Sequence, residues 1–298
     1  MSRRRSLTLT LTLGIAAVTI AYGVSAASAV STALAAAPAS AKPTCTPVES
    51  WRRVGVDTFP LPEGGLRSQG IATDGNQWFF SWKFGLERAD NTYADTANNP
   101  VAIPPELLLN GSNHIGDIDY FKGRLVVPIE DGSAYLRPYL ALYDAATLQP
   151  ISYDAIARDL QVEGVPWVAA DAQRGIAYTA EWNNAKQINM FDIEHHFAFR
   201  GAIPLQQPIS RIQGAKLFEG NLLASVDDNA KTVYRIDLST GAETKLFSIG
   251  KAGELEGIAI RPTTDGALVH VMLMVGTLSD PQNYHGELYH YARTVSCV

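Results

Sequence analysis

Five stretches of this 298-residue chain begin alike. They are "QGIATDGNQWFFSW" from Gln69, "GDIDYFKGRLVVPIE" from Gly116, "PWVAADAQRGIAYTAEW" from Pro166, "QGAKLFEGNLLASVDD" from Gln213 and "EGIAIRPTTDGALVHVML" from Glu256. Their starts lie 47, 50, 47 and 43 residues apart. Self-similarity at such a period means one supersecondary unit repeated, each copy burying its apolar face against the next. Every copy reads as a short apolar strand, a turn rich in Gly, Asp or Asn, and a β-branched or aromatic strand. A third strand follows in each: "LERAD", "LALYD", "INMFD", "VYRID" and "ELYHY". Four of these end in Asp90, Asp144, Asp192 and Asp237, where the chain must turn, so these acids are assigned to turns. A fourth, weaker strand fits "VAIPPELLL", "ISYDAIA", "FRGAIPL" and "TKLFSIG", and helical periodicity is almost absent.

Four short strands per unit of about 45 residues is the period of a propeller blade. Five units predict an all-β, five-bladed β-propeller over residues 45–298, with a six-bladed ring as the alternative. The fifth unit lacks a fourth strand of its own. Residues 51–61, "WRRVGVDTFPL", read as a strand placed to complete it from the N-terminal side. The two cysteines, Cys45 and Cys297, stand at the two ends of this region. In an oxidising compartment they are expected to form one disulfide that clasps the seam.

Residues 1–41 carry Arg3-Arg4-Arg5, then a long apolar and small-residue run and Ala-Ser-Ala triplets. That is the pattern of a cleaved signal peptide, so a secreted protein with no membrane span after cleavage is expected. Setting those three arginines aside leaves 21 basic against 30 acidic residues, a net charge of −9 with His neutral. Such a surface argues against nucleic acid or an anionic membrane as partner. The expected partner is a small polar molecule, a peptide or a glycan, bound by a monomer.

In a propeller the first strand of each blade lines the axis, and the loop between strands two and three returns to the face where that strand begins. Ligand-binding candidates on this face are Gln69, Trp82, Trp167, Trp182, Gln213 and Tyr284. Glu130 and His114 are candidate acid–base groups. Glu256, Glu181, Asp227 and Asn183 offer hard oxygen donors, the chemistry of a Ca2+ or Mg2+ site (Zn2+ is a third option). Lys83 is the basic group that the same rule places there. Among the Gln69-Gly70, Gln213-Gly214 and Glu256-Gly257 pairs, Glu256 alone is charged, and a buried charge needs a partner. Glu194-His195-His196 does not read as a metal site, because adjacent strand residues face opposite sides. Nucleophile-elbow, zincin, Cys-x-x-Cys and Gly-Lys-Ser/Thr phosphate-loop motifs are absent from the sequence.

Blade grammar such as "GIATDGNQWFF" and "VYRIDLSTG" resembles the extracytoplasmic propellers of the gluconolactonase-like and NHL/YncE-like type over residues 69–292. Gluconolactonase-like enzymes hold a divalent cation on the axis with Glu, Asn and Asp ligands, and Glu256, Asn183 and Asp227 are the matching positions. That resemblance implies a metal-dependent lactonase- or esterase-like hydrolase, although those enzymes have six blades. "SQGIATDGNQWFFSWKFGLERAD" also resembles the opening blade of the plant-type glutaminyl cyclases, which are exported five-bladed propellers, and "ELEGIAI" their closing blade. Where that family has a catalytic Glu after the second strand, this chain has Ser81. The expected function is therefore hydrolysis or rearrangement of a small polar substrate at an acidic axial site. Non-catalytic binding of a peptide or glycan, and glutaminyl-cyclase-like acyl transfer, are the alternatives.

Overall fold

Residues with apolar side chains on both strand faces must be covered on both sides, and these mark the inner and middle strands here. The computed structural model describes residues 47–132, 134–264, 266–277 and 279–297; the expected leader 1–41 and Cys45 lie outside them. A long first strand, β1 (Pro47–Phe59), precedes five sheets. Blade one is β2 (Gly70–Thr73), β3 (Trp78–Trp82), β4 (Gly85–Ala89) and β5 (Asp95–Asn99). Blade two is β6 (His114–Ile115), β7 (Asp119–Phe121), β8 (Arg124–Glu130), β9 (Tyr139–Asp144) and β10 (Pro150–Ala155). Here β6 and β7 both pair with β8, so they are one inner strand broken around Asp117.

Blade three is β11 (Ala169–Asp171), β12 (Ile176–Thr179), β13 (Ala185–Asp192) and β14 (Ala198–Ile209). Blade four is β15 (Ile212–Phe218), β16 (Asn221–Val226), β17 (Thr232–Asp237) and β18 (Glu243–Ser248). Blade five is β19 (Glu254–Thr263), β20 (Gly266–Val275) and β21 (His285–Cys297). Within each sheet the strands are antiparallel neighbours in chain order, and β1 is added beside β21 as the outermost strand of blade five. The fold is therefore a five-bladed β-propeller with four strands per blade. No helix among the described residues is long and apolar enough to cross a membrane.

Five apolar clusters hold the ring, one at each blade boundary. Phe79 and Leu86 meet Ile115 and Val127 between blades one and two, and Val126 and Leu140 meet Phe191 between two and three. Ile188 and Ala185 meet Leu222 and Ile236 between three and four, and Leu223 and Val233 meet Leu255 and Val271 between four and five. Phe59, Met272 and Leu288 close the circle on Ile71 and Trp78. Burying each large side chain contributes roughly 1.5–3 kcal/mol, so the boundaries carry most of the stability.

The four repeating aspartates act as turn residues. Each carboxylate accepts backbone N–H bonds from two or three residues further on, as Asp237 does from Ser239 and Thr240. The Thr92 hydroxyl and then these N–H bonds hold Asp90 below the usual carboxylate range, the Ser239 hydroxyl and then N–H bonds do so for Asp237, the Thr147 N–H and hydroxyl do so for Asp144, and Arg200 with His195 brings Asp192 down to about 2. In the Glu194-His195-His196 triplet, expected not to be a metal site, Glu194 faces Lys122 and Arg124, His195 pairs with Asp192, and His196 with Asp154.

One strand assignment needs correction. "VAIPPELLL" is not the fourth strand of blade one; that strand is β5, and the stretch carries a short helix, α1 (Pro105–Leu109). Pro105 stands at the first helical turn, where proline is tolerated, and Leu107 is buried against blade two. The true strand, "DTANN", is an exposed outer edge with no apolar alternation to reveal it. At the seam, β1 pairs with β21 from Pro47↔Cys297 to Phe59↔Gly286. His290 bridges Asp57 of β1 (2.9 Å) and His270 of β20 (2.6 Å) across it.

Candidate active site

At the face where the inner strands begin lies a pocket of about 200 Å³. Gln69, His114, Glu130, Trp182, Gln213 and Glu256, all marked by the strand-entry and loop rule, line it together. Gly132, Tyr135, Pro166 and Glu254 complete the lining. Two local devices aim the side chains. The pairing of β15 with β16 shifts register between Ile212 and Gly214, and that of β19 with β20 between Leu255 and Ile258. Such bulges redirect a side chain out of the strand's alternation, here at Gln213 and at Glu256.

His114 is the centre of a short polar chain. Its Nδ1 lies 3.0 Å from Glu130 Oε1, and its Nε2 lies 2.6 Å from Gln69 Oε1. The Gln69 amide is oriented by its own Nε2, which donates to the Ser68 carbonyl at 2.9 Å. Both ring nitrogens are thus engaged, one by Glu130 and the other by Gln69. Glu130 is 3% exposed and its second oxygen accepts from the Val165 N–H at 2.5 Å. Gly164 makes that approach possible: its φ is +84°, and a Cβ there would fall 2.1 Å from Glu130 Oε2.

Glu256 is built differently. It is 4% exposed, and its backbone carbonyl accepts from Ser225 Oγ at 2.6 Å. Burial first, then the neighbouring acids Glu254, Asp227 and Asp117, push its carboxyl well above the usual range, and Arg211 opposes them only in part. Burial and like charge thus both favour the protonated form of Glu256, the form that can donate a hydrogen bond or a proton. Two residues earlier, Glu254 is exposed, and Gln213 Nε2 lies 3.4 Å from its Oε1. One pocket therefore presents a buried acid with a raised carboxyl, an exposed glutamate and a Glu-anchored imidazole.

The expected metal ligands are not gathered. Among the described residues no group of three or more His, Cys, Asp or Glu is arranged to hold a metal ion. Asp227 is ion-paired with Arg211 and with Lys231 at 2.5 Å, and it accepts from the Leu255 N–H at 2.8 Å. Its oxygens are thus already engaged. Asn183 is exposed in its loop. Glu181 lies outside the pocket lining and receives the Glu163 N–H at 3.2 Å; burial raises its carboxyl. Lys83 also stays outside the lining and lies over the Phe84 ring, while Arg211 supplies positive charge near Glu256.

The aromatic candidates separate in the same way. Trp182 lines the pocket, with the Arg211 guanidinium 5.7 Å from its ring. Trp167 is fully buried in the boundary between blades three and four, and Trp82 folds back over Gly85. Tyr284 packs at the edge of the closing cluster, where burial and then Glu256 and Glu254 raise its hydroxyl. Sequence reasoning missed Tyr135 and Glu254. Tyr135 sits in a loop without repeat counterpart, whereas Glu254 was legible as the residue two before Glu256 in "ELEGIAI".

A five-bladed propeller with an acidic, imidazole-containing pocket at one end of its axis is the class defined by this fold and site. No family model and no curated protein matches the chain. Among solved structures it is similar to a glutaminyl cyclase from Myxococcus xanthus, with a TM-score of 0.57 and 12% identity over 83% of this chain and 98% of that one. At that identity the likeness shows a common fold. A chain of the mitotic checkpoint complex is also similar, at a TM-score of 0.42 and 12% identity over 74% of this chain and 60% of that one.

Proposed function

We propose that the rim pocket is an acid–base active site for acyl transfer on a small polar amide or ester, by hydrolysis or internal cyclisation. One observation carries this reading: Glu256, whose carboxyl burial and neighbouring acids raise, shares the pocket with exposed Glu254 and the Glu130-anchored His114. A buried carboxyl beside an exposed one is the pattern of an acid and a base set apart by environment. The incoming water or amine bonds to the carbonyl carbon as its proton passes to Glu254. The bond from that carbon to the leaving nitrogen or oxygen then breaks as Glu256 supplies a proton to it. His114 Nε2–H, which now faces Gln69, is placed to donate to the oxyanion of the intermediate, and Glu130 fixes the ring.

The similarity to a glutaminyl cyclase makes N-terminal glutaminyl dipeptides the first substrates to test, followed by small lactones and esters. Ammonia release and acid release are the readouts. Turnover is expected with at least one class, and its loss in Glu256→Gln and His114→Ala at unchanged thermal midpoint. Absence of turnover across the panel at high enzyme concentration, with a peptide or glycan still bound, would make the pocket a recognition site instead.

The basic and apolar pattern of residues 1–41 supports export, and the pairing of β1 with β21 supports a Cys45–Cys297 disulfide at the end of β21. Mass measurement of the secreted protein tests this. Loss of two hydrogens relative to the reduced chain supports the clasp, and two alkylatable thiols contradict it.

A further inference from the structure

Beneath the pocket floor the propeller axis is filled by an ion pair. Asp117 stands where the inner strand of blade two is broken between β6 and β7, and its side chain is fully buried. Its Oδ1 accepts from the Ile71 N–H of blade one at 2.9 Å. Its Oδ2 accepts from Lys216 Nζ of blade four at 2.6 Å. Its own backbone pairs with blade three, N–H to Pro166 O at 2.9 Å and carbonyl from Val168 N–H at 3.0 Å. One residue thus binds blades one, three and four at the axis.

Three glycines close around this carboxylate. A Cβ on Gly257 would lie 2.5 Å from Asp117 Oδ1, one on Gly214 would lie 2.6 Å from Oδ2, and one on Gly70 would lie 2.6 Å from Asp117 Cα. No real Cβ sits so near, so these positions require glycine for close approach. Each glycine directly follows a residue that lines the pocket: Gln69, Gln213 and Glu256. The Gly257 N–H donates to the Gln69 carbonyl at 2.9 Å, which ties two of the three entries together. Ser81 and Ser225 do the same from the second strands, their hydroxyls donating to Gly116 O at 2.8 Å and Glu256 O at 2.6 Å.

We infer that the Asp117–Lys216 pair is the positioning element of the rim site, fixing Gln69, Gln213 and Glu256 through the glycines that follow them. This rests on the acid–base reading of the pocket above. Asp117 touches no substrate; it acts by holding the Gly214 and Gly257 entries against its carboxylate and the Gly70 entry against its Cα. It is also among the acids that raise the Glu256 carboxyl. A misplacement of about 1 Å in such a constellation costs on the order of 100-fold in rate.

The test compares wild type with Asp117→Ala/Lys216→Met, which removes both charges together so that neither is stranded. Site-resolved hydrogen exchange and turnover of a glutaminyl dipeptide, or of whichever ester or lactone the wild type accepts, are measured on the folded proteins. Exchange at Ile71 and Gly257 is expected to rise tenfold or more while Leu142 and Phe191 keep their rates. The kcat is expected to fall about 100-fold with KM moving less. Unchanged exchange at Ile71 and Gly257, or unchanged kcat in a folded double variant, overturns the inference. Faster exchange beside a wild type that turns nothing over removes the acid–base reading and leaves the axial organiser standing. Should the double variant fail to fold, Lys216→Arg replaces it: a tenfold loss of kcat supports the positioning role, and full activity overturns it.

Discussion

Asp227 in blade four and Glu256 in blade five are both buried acids at the same end of the propeller, and the fold treats them in opposite ways. Asp227 is surrounded by donors: Arg211, Lys231 and the Leu255 N–H. Glu256 is surrounded by other acids, with Arg211 as the opposing charge. The first arrangement fixes a loop to the next blade. The second withholds a partner and so raises the carboxyl. Both are buried carboxyls at one face; what separates a structural acid from a chemical one is the sign of its neighbours.

The largest expected effect of breaking this contrast is on turnover. Glu256→Gln keeps size and hydrogen-bonding capacity but holds no transferable proton, and kcat should fall on the order of 100- to 10,000-fold. Asp227→Asn should leave kcat within a few-fold and act on stability. It strands Lys231, Arg211 and a backbone donor, at a cost of about 3 kcal/mol, read as a melting point lower by roughly 10 °C. A reversal, with Asp227→Asn silencing turnover and Glu256→Gln unfolding the ring, would invert the assignment.

Stability against pH sharpens the same comparison. A carboxyl raised by folding binds its proton in the folded state at pH values where the unfolded chain has lost it. Glu256 therefore contributes nothing below the unfolded value near 4.5, and it destabilises increasingly as pH rises from there towards its raised folded value. Glu256→Gln should accordingly match wild type in thermal midpoint at pH 4 and exceed it at pH 7. An equal or lower midpoint at pH 7 would mean that the carboxyl is not held neutral. The smallest effect is expected at Ser81, whose hydroxyl donates to the Gly116 carbonyl. Ser81→Ala should cost about 1 kcal/mol and leave turnover nearly unchanged.

Most of the fold was legible because the repeat is carried by residues with single-minded preferences. The second strands "WFFSW", "LVVPIE" and "LLASV" are buried along nearly their whole length, and their period counts the blades. β5 escaped notice because an exposed outer strand is under no pressure to alternate. At the site, the strand-entry rule located Gln69, His114, Gln213 and Glu256, since each follows from blade geometry alone. It did not separate Asp227 from Glu256, because the charges that decide between them are distant in sequence: Arg211 stands just before β15 and reaches Asp227 after β16, and Asp117, which acts on Glu256, comes from blade two. Trp82 and Trp167 show the same limit, for whether a tryptophan lines a pocket or fills a boundary depends on which sheet it faces. The departure at Ser81 has a physical account as well. Its hydroxyl serves the axis by binding Gly116, and the acids stand on blades two and five instead.

The most direct test of the account is the protonation state of Glu256 at neutral pH. Infrared difference spectra of wild type against Glu256→Gln at pH 7 isolate that carboxyl's C=O stretch. The account predicts a band of a protonated carboxylic acid that vanishes in the variant and converts to carboxylate only at alkaline pH. A carboxylate band already present at pH 7, with no protonated band, would contradict it.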